Sequence, residues 1–254
     1  MNRSRLHWAL IAGTAAAVGV GAALGMRALT ELVDATLPDA RGIASFNRPG
    51  TITLLSTNGK VIQKLGPATR EKVKLGAMPP TVAEAFIAAE DRRFYEHDGV
   101  DGWGIARAIV TNVRQGAVRE GASTITQQLA RTVFLSQDRT ITRKLKEAAL
   151  AMKLERQLSK QQILEQYLNY VYLGSGAYGV ADAAWIYFSK TPEQLTVPEA
   201  DMIAGLPPAP SIYSPMVNPD LAKEQRSIVL DRICLLYTSP SPRDVEESRM
   251  PSSA

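Results

Sequence analysis

The chain has 254 residues, of which 45% are hydrophobic and 21% charged, as in an ordinary globular protein. Its 29 basic and 25 acidic residues leave a formal charge of only +4, which argues against a disordered chain and against a nucleic-acid partner. One cysteine and two histidines exclude an internal disulfide and a zinc cluster of cysteine and histidine. Any metal ion would therefore be bound through oxygen.

The N-terminal part carries a charge-free segment that is long enough to cross a membrane. Residues 8–26 are rich in alanine and glycine and follow Arg3 and Arg5. Basic residues before the segment favour a cytoplasmic N-terminus, so the residues after it are expected on the outer side of the membrane. A cleaved signal peptide is the alternative. We interpret residues 1–30 as a cytoplasmic tip and a transmembrane anchor.

Residues 31–80 are predicted to form a stalk and a short β-hairpin. Two alternating apolar runs flank Asn58-Gly59, a pair typical of a tight hairpin turn. From Thr81 to about Leu230 the apolar spacing predicts helices, without the strand–helix alternation of a nucleotide-binding α/β fold.

Several helix boundaries and faces can be predicted from local signals. Thr81 is the expected cap of a helix that ends at Glu90. Capping boxes that begin at Ser159 and Thr196 predict two further helices. On a helix in between, the inward-facing positions are predicted to be Ile141, Leu145, Ala148 and Met152.

The last 21 residues differ in character from the rest of the chain. Residues 234–254 have no apolar period, and they interrupt a helical pattern that begins near Leu221. The segment is similar to the translated adapter tails found in truncated reading frames. We therefore expect residues 234–254 to be non-native, with the natural chain continuing differently.

Three polar clusters stand out within the helical part. Glu90 ends a helix, where the negative end of the helix dipole raises the pKa of a carboxyl group, so it is a candidate general base; a solvated ion pair is the alternative. The cluster 121–128 opens a helix with free amides and hydroxyls that suit sugar or phosphate oxygens, although capping by Ser123 explains part of it. Arg143 and Lys144 lie one helical turn before Glu147. The three residues are interpreted either as a site for an anion or as an exposed helical salt bridge.

Together, in this order, the clusters resemble the peptidoglycan glycosyltransferase (transglycosylase) family. The motifs Glu90-Asp-x-x-Phe94-x-x-His97-x-Gly99, Gly121-x-Ser-Thr-Ile-Thr-Gln-Gln128 and Arg143-Lys-x-x-Glu147 are intact. The resemblance implies a mainly α fold, a lysozyme-like two-lobed domain over residues 81–233, preceded by the anchor and the hairpin. It implies two catalytic residues, Glu90 and Glu147, and a substrate-binding set of Asp91, Phe94, His97, Ser123, Thr124, Gln128, Arg131, Arg139, Arg143 and Lys144.

The resemblance implies polymerisation of lipid II, a lipid-linked disaccharide-pentapeptide, into β-1,4 glycan strands with inversion and release of undecaprenyl pyrophosphate. Glu90 would take the proton of a sugar hydroxyl. The pyrophosphate oxygens would be held by Arg131, Arg139, Arg143 and Lys144. Glu147 would either hold a divalent cation, Mg²⁺ or Mn²⁺, or orient the reacting groups, and no organic cofactor is expected.

The resemblance also implies partners and a location. The partners are lipid II, the growing glycan strand and the bacterial cytoplasmic membrane, with other cell-wall synthesis proteins left open. Apolar positions at Trp103, Ile105 and Ile109 either dip into that membrane or pack in the core. A membrane-tethered glycoside hydrolase and a non-catalytic scaffold are the alternative functions. Departures from the family pattern at Ser189-Lys190 and Gln225-Arg226 are not expected to touch the chemistry.

Overall fold

The structure is a computed structural model that describes residues 37–43, 52–65, 72–115, 123–135 and 140–238. These residues are mainly helical and contain a short two-stranded antiparallel sheet, which confirms the predicted fold class at that level. The strands are β1 (Ile52–Leu55) and β2 (Val61–Leu65), and the helices are α1 (Pro80–Glu90), α2 (Gly102–Gln115), α3 (Ile125–Phe134), α4 (Ile141–Gln157), α5 (Lys160–Tyr170), α6 (Val180–Phe188), α7 (Val197–Ala204), α8 (Pro210–Tyr213) and α9 (Pro219–Thr238).

The β-hairpin predicted around Asn58-Gly59 is present. Strand β1 pairs antiparallel with β2, and the Ser56 N–H donates to the Lys60 carbonyl at 2.8 Å to close the loop. Gly59 has a φ of 79°, a left-handed conformation that glycine adopts without steric cost. The loop residue that sequence analysis singles out is thus the one that the backbone requires.

Two helices begin at the predicted capping boxes. Ser159 caps α5 and Thr196 caps α7, each in reciprocal hydrogen bonds with the residue three positions later. The apolar stripe of α5 is buried, namely Ile163, Leu164, Tyr167 and Leu168. Local hydrogen bonding and apolar spacing therefore agree for both helices.

The start of α1 differs from the prediction. The helix begins at Pro80 with Pro79 in the N-cap position, so Thr81 lies in the first turn and the prediction that it caps the helix is wrong. Proline at the first helical position has its φ already fixed and has no N–H to satisfy, so the helix starts without a side-chain cap. The end of α1 lies at Glu90, as predicted.

The predicted inward face of α4 is wrong at Leu145, whereas Ala148 and Met152 are partly buried and the side chain of Ile141 lies outside the described residues. Leu145 is 67% exposed, whereas the residues buried along this helix include Glu147, Leu150 and Leu154. These three share one face, because residues three or four apart lie above one another on a helix. Apolar spacing favours the face that carries Leu145, because the face that is buried begins with a charged residue, Glu147.

The helices pack in two groups that share one hydrophobic cluster. Helices α1, α7 and α9 pack against one another, while α3 packs against both α4 and α5. The shared cluster includes Phe86 of α1, Leu129 of α3 and Val229 of α9. The end of α1 is thereby held next to the start of α3.

None of the helices in the described ranges combines the length and the apolar character needed to cross a membrane. The predicted anchor at residues 8–26 lies outside those ranges. Helix α9 continues through Cys234 to Thr238, so the segment predicted to be foreign begins inside this helix. Residues 239–254 also lie outside the described ranges.

Candidate active site

A cleft of about 610 Å³ opens where the end of α1 meets the start of α3. Residues of α2, of α9 and of the segment after α7 complete its lining. The charged lining residues are five arginines and three acids: Arg92, Arg93, Arg107, Arg131, Arg232, Glu90, Asp91 and Asp101. The excess of positive charge favours an anionic ligand.

Glu90 lies half-buried in the wall of this cleft, as the last residue of α1. Its carboxylate Oε2 accepts a hydrogen bond of 2.7 Å from Gln128 Nε2. Burial raises the pKa of Glu90, while the Gln128 hydrogen bond and the charges of Arg232 and Arg131 act in the opposite direction. The direction expected from the helix dipole holds, with desolvation as the main cause. A carboxylate in this state is suited to accept a proton near neutral pH.

Asp91 ties the end of α1 to the start of α3. Its Oδ2 accepts the backbone N–H of Ile125, the first residue of α3, at 3.0 Å. His97 Nε2 lies 3.1 Å from each Asp91 carboxylate oxygen, and the Gly99 N–H donates to His97 Nδ1 at 3.2 Å. Because Nδ1 accepts, Nε2 carries the ring proton and donates to Asp91. Asp91 and His97 therefore fix how Glu90 faces α3.

Thr124, rather than Ser123, caps α3. Thr124 and Gln127 form the capping box, and the Thr124 hydroxyl also donates to the Gly99 carbonyl at 2.7 Å. Gly99 has a φ of 93°, and a Cβ there would lie 2.7 Å from the backbone carbon of Ala151, so this contact requires glycine. Since Thr124 supplies the cap, the Ser123 hydroxyl is left for another partner.

Phe94 lies behind the cleft with no exposed surface. Its ring contacts His97 edge-on, and Lys160 Nζ lies 4.5 Å from the ring centroid. Lys160 also donates to the carbonyl of His97 and pairs with Glu155. Phe94 thus supports the loop that carries His97 from beneath.

Glu147 is buried on α4 between two cations. Its carboxylate accepts hydrogen bonds from Arg143 and from Lys144, the latter at 3.0 Å. Lys144 Nζ also donates to Ser123 Oγ at 2.6 Å. Burial lowers the pKa of Lys144, and the positive charges of Arg131 and Arg143 lower it further. Since Ser123 lines the cleft, Lys144 adjoins the space that Glu90 faces.

The structure brings most of the predicted site residues together. Those that line the cleft are Glu90, Asp91, Ser123, Thr124, Gln128 and Arg131. Arg143, Lys144 and Glu147 form a cluster that joins the cleft through Ser123. Phe94 and His97 support the loop between α1 and α2. Arg139 lies outside the described residues.

Four of the five cleft arginines are absent from the predicted site set, and two of them, Arg107 and Arg232, also lie outside the three polar clusters. Arg232, on α9, donates to the carbonyl of Ala89, next to Glu90, and Arg107 comes from α2. Each lies on a helix that carries a second arginine, and no local pattern distinguishes it from an ordinary surface cation.

The two departures from the family pattern have structural consequences. Ser189 ends α6 in a left-handed conformation with φ of 53°, where glycine is favoured. Gln225 lines the cleft, and the expectation that the departure at this position does not touch the chemistry stays a prediction. Arg226, beside it, faces the buried carboxylate of Asp201.

Comparisons with known proteins agree with the motif resemblance. A family model described as Transglycosylase matches residues 58–234. Penicillin-binding protein 1A of Neisseria lactamica is 49% identical over 197 residues, which are 78% of this chain and 25% of that protein. The same protein of Escherichia coli (strain K12) is 45% identical over 216 residues, which are 85% and 25% of the two chains.

A crystal structure of penicillin-binding protein 1A from Haemophilus influenzae aligns with this chain at 24% identity and a TM-score of 0.40. The alignment covers 82% of this chain and 22% of the Haemophilus influenzae chain. The chain spans about a quarter of the length of the curated relatives described above. The match over residues 58–234 shows that the chain belongs to the transglycosylase family.

Proposed function

We propose that this domain is a peptidoglycan glycosyltransferase that polymerises lipid II into β-1,4 glycan strands. The observation that carries the proposal is the placement of Glu90, a carboxylate with a raised pKa, in an arginine-rich cleft next to the Lys144 cluster. Such a cleft suits a reaction in which an alcohol loses a proton while a diphosphate departs.

In the proposed reaction Glu90 takes the proton of the acceptor sugar's 4-hydroxyl. The hydroxyl oxygen forms a bond to the anomeric carbon of the donor, and the bond from that carbon to the pyrophosphate breaks. The electron pair leaves with the pyrophosphate, which departs as an anion and needs no proton. Attack opposite the leaving group inverts the anomeric centre, so an α-linked donor gives a β-1,4 linkage.

The departing pyrophosphate is assigned to the side of the cleft that holds Arg131, Ser123 and Lys144. Lys144 Nζ donates a hydrogen bond to Ser123 Oγ at the edge of the cleft. Arg131, which lies further along α3, also lines the cleft. Charge-assisted hydrogen bonds from these groups would stabilise the diphosphate oxygens. Arg143 points to Glu147 instead, so its part in the proposal is to position that carboxylate.

We propose no metal ion on Glu147 itself. Both of its carboxylate oxygens accept hydrogen bonds from cationic side chains, and the described residues hold no cluster of three or more His, Cys, Asp or Glu suited to a metal ion. A divalent cation fits this donor set poorly, because it would have to displace Arg143 or Lys144. Any Mg²⁺ or Mn²⁺ used in the reaction would bind through the phosphates of the substrate.

The proposal includes a lysozyme-like, two-lobed fold and a location on the outer face of the cytoplasmic membrane, in contact with lipid II and the glycan strand. The charge-free segment 8–26 would supply the anchor. On α2, Trp103 is 75% exposed and Ile105 is partly buried, which supports membrane contact for the first of these positions.

The test is polymerisation of lipid II by the wild type and by Glu90→Gln. Removing the base should lower the rate ~10²–10⁴-fold, because the carboxamide cannot accept the hydroxyl proton. Tyr187→Phe, which removes a partly buried hydroxyl that donates to the Leu173 carbonyl, is the control for folding. A wild-type rate in Glu90→Gln would contradict the assignment, and release of short fragments from finished glycan would support a hydrolase instead.

A further inference from the structure

The phenol of Tyr167 lies on the far side of Gln128 from Glu90. Tyr167 is buried on α5, and its ring packs edge-on against Phe86 with centroids 6.0 Å apart. Its hydroxyl donates to Gln128 Oε1 at 3.3 Å, a long hydrogen bond, and Gln128 Nε2 donates to Glu90 Oε2 at 2.7 Å. The three side chains form one hydrogen-bonded row from the core to the cleft.

The amide of Gln128 has two orientations that exchange its oxygen and its NH₂ group. In the observed orientation the NH₂ group faces the Glu90 carboxylate, whereas the reversed orientation would place two oxygens against each other. Burial raises the pKa of Tyr167 well above its usual value, so its hydroxyl stays a donor at working pH. A buried donor next to the amide oxygen favours the observed orientation.

We propose that Tyr167 is a positioning residue that acts through Gln128 to hold an N–H donor against Glu90. The proposal rests on the function of Glu90 as the base. Tyr167 lies outside the three polar clusters and, as a buried aromatic on a core helix, is expected from sequence only to pack. The hydroxyl, rather than the ring, carries the added role.

The other charged groups that face Glu90 are Asp91 in the turn after α1, Arg131 on α3 and Arg232 on α9. Replacing Tyr167 by phenylalanine leaves these charges in place and keeps the ring against Phe86. A change in the titration of Glu90 in this variant therefore reports on the Gln128 amide.

The test is the pH dependence of lipid II polymerisation in the wild type, Tyr167→Phe and Tyr170→Phe. The acid limb, where activity is lost as Glu90 gains a proton, should move upward by roughly half a pH unit in Tyr167→Phe, because the carboxylate loses a well-held donor. Tyr170, on the same helix, donates its hydroxyl to the Ile43 carbonyl at 3.1 Å, so Tyr170→Phe should leave the limb unmoved.

A double-mutant cycle separates positioning from a general loss of packing. In a Gln128→Ala background, Tyr167→Phe should cause no further shift, because the group that it acts through is gone. The proposal is overturned if the acid limb stays in place in Tyr167→Phe, or if the shift is as large without Gln128 as with it.

The titration of the Glu90 carboxyl carbon, followed by NMR in the same variants, gives a readout that needs no turnover. A wild type that does not polymerise lipid II would defeat the proposed function, while the carboxyl titration would still support or overturn the role of Tyr167. An active wild type, together with the same Glu90 carboxyl titration in the wild type and in Tyr167→Phe, would defeat only the role of Tyr167.

Discussion

The two glutamates of the site occupy opposite surroundings. Glu90 ends a helix, opens to the cleft and accepts a hydrogen bond from a neutral amide, whereas Glu147 lies in mid-helix, fully buried and bonded to two cations. Burial without a bonded cation raises the pKa of Glu90 and prepares it to take a proton. Glu147 has both oxygens engaged, so it organises cations. The same side chain thus has different chemical properties in the two surroundings.

The largest expected contrast is in stability when each glutamate becomes glutamine. Glu147→Gln leaves Arg143 and Lys144 without their shared carboxylate, and it should lower the free energy of unfolding by about 2–4 kcal/mol. The loss stays within this range because the two cations are partly exposed to solvent. Glu90→Gln should leave the free energy of unfolding unchanged or higher, because burial disfavours the charge of Glu90.

Denaturant titration of both variants at neutral pH measures this difference, each being the matched control of the other. Equal losses in the two variants would contradict the assignment of different surroundings. A loss confined to Glu90→Gln would reverse it.

Asp201 sharpens the comparison, because it is buried like Glu147 but its carboxylate oxygens have no hydrogen-bond partner among the described residues. Burial raises its pKa to about 6, against the opposing charge of Arg226. The folded state therefore binds a proton more tightly than the unfolded state, so stability is lost as pH rises from about 4 through about 6. Asp201→Asn should raise the free energy of unfolding by about 1–3 kcal/mol above pH 7.

The gain in Asp201→Asn should vanish below about pH 4, where aspartate is protonated in both states. Unfolding by urea at a series of pH values measures it. A gain that is the same at every pH would mean that packing, rather than charge, explains the effect.

The smallest expected effect concerns Arg232. Its positive charge lowers the pKa of Glu90, so Arg232→Gln should raise that pKa further and move the acid limb of the rate profile upward by less than about one pH unit. Arg232→Lys keeps a charge and should move the limb less. The pH profile of polymerisation measures both variants, and a limb that moves downward would contradict the assignment.

Sequence predicts this fold best where the cause is local. The hairpin turn at Asn58-Gly59 and the capping boxes at Ser159 and Thr196 depend on residues within four positions of each other, and all three are present. The face of α4 could not be predicted from apolar spacing, because its buried stripe contains Glu147 and leaves Leu145 outside.

The residues of the candidate site likewise divide into those with a local sequence signal and those placed by long-range packing. The motif resemblance names Glu90, Gln128 and Lys144, which the structure brings to one region. Arg232 and the Tyr167 hydroxyl reach the neighbourhood of Glu90 through the packing of α9 and α5. The local sequence marks Tyr167 as part of an apolar stripe but does not indicate a contact with Gln128. Long-range packing partners of this kind are what single-sequence patterns do not encode.

The hydrogen bond from Arg232 to the Ala89 carbonyl joins α9 to the turn that presents Glu90. During synthesis α9 leaves the ribosome after every other helix described here, since the chain grows from its N-terminus. The nascent polypeptide therefore carries an unfinished cleft until α9 has docked against the end of α1.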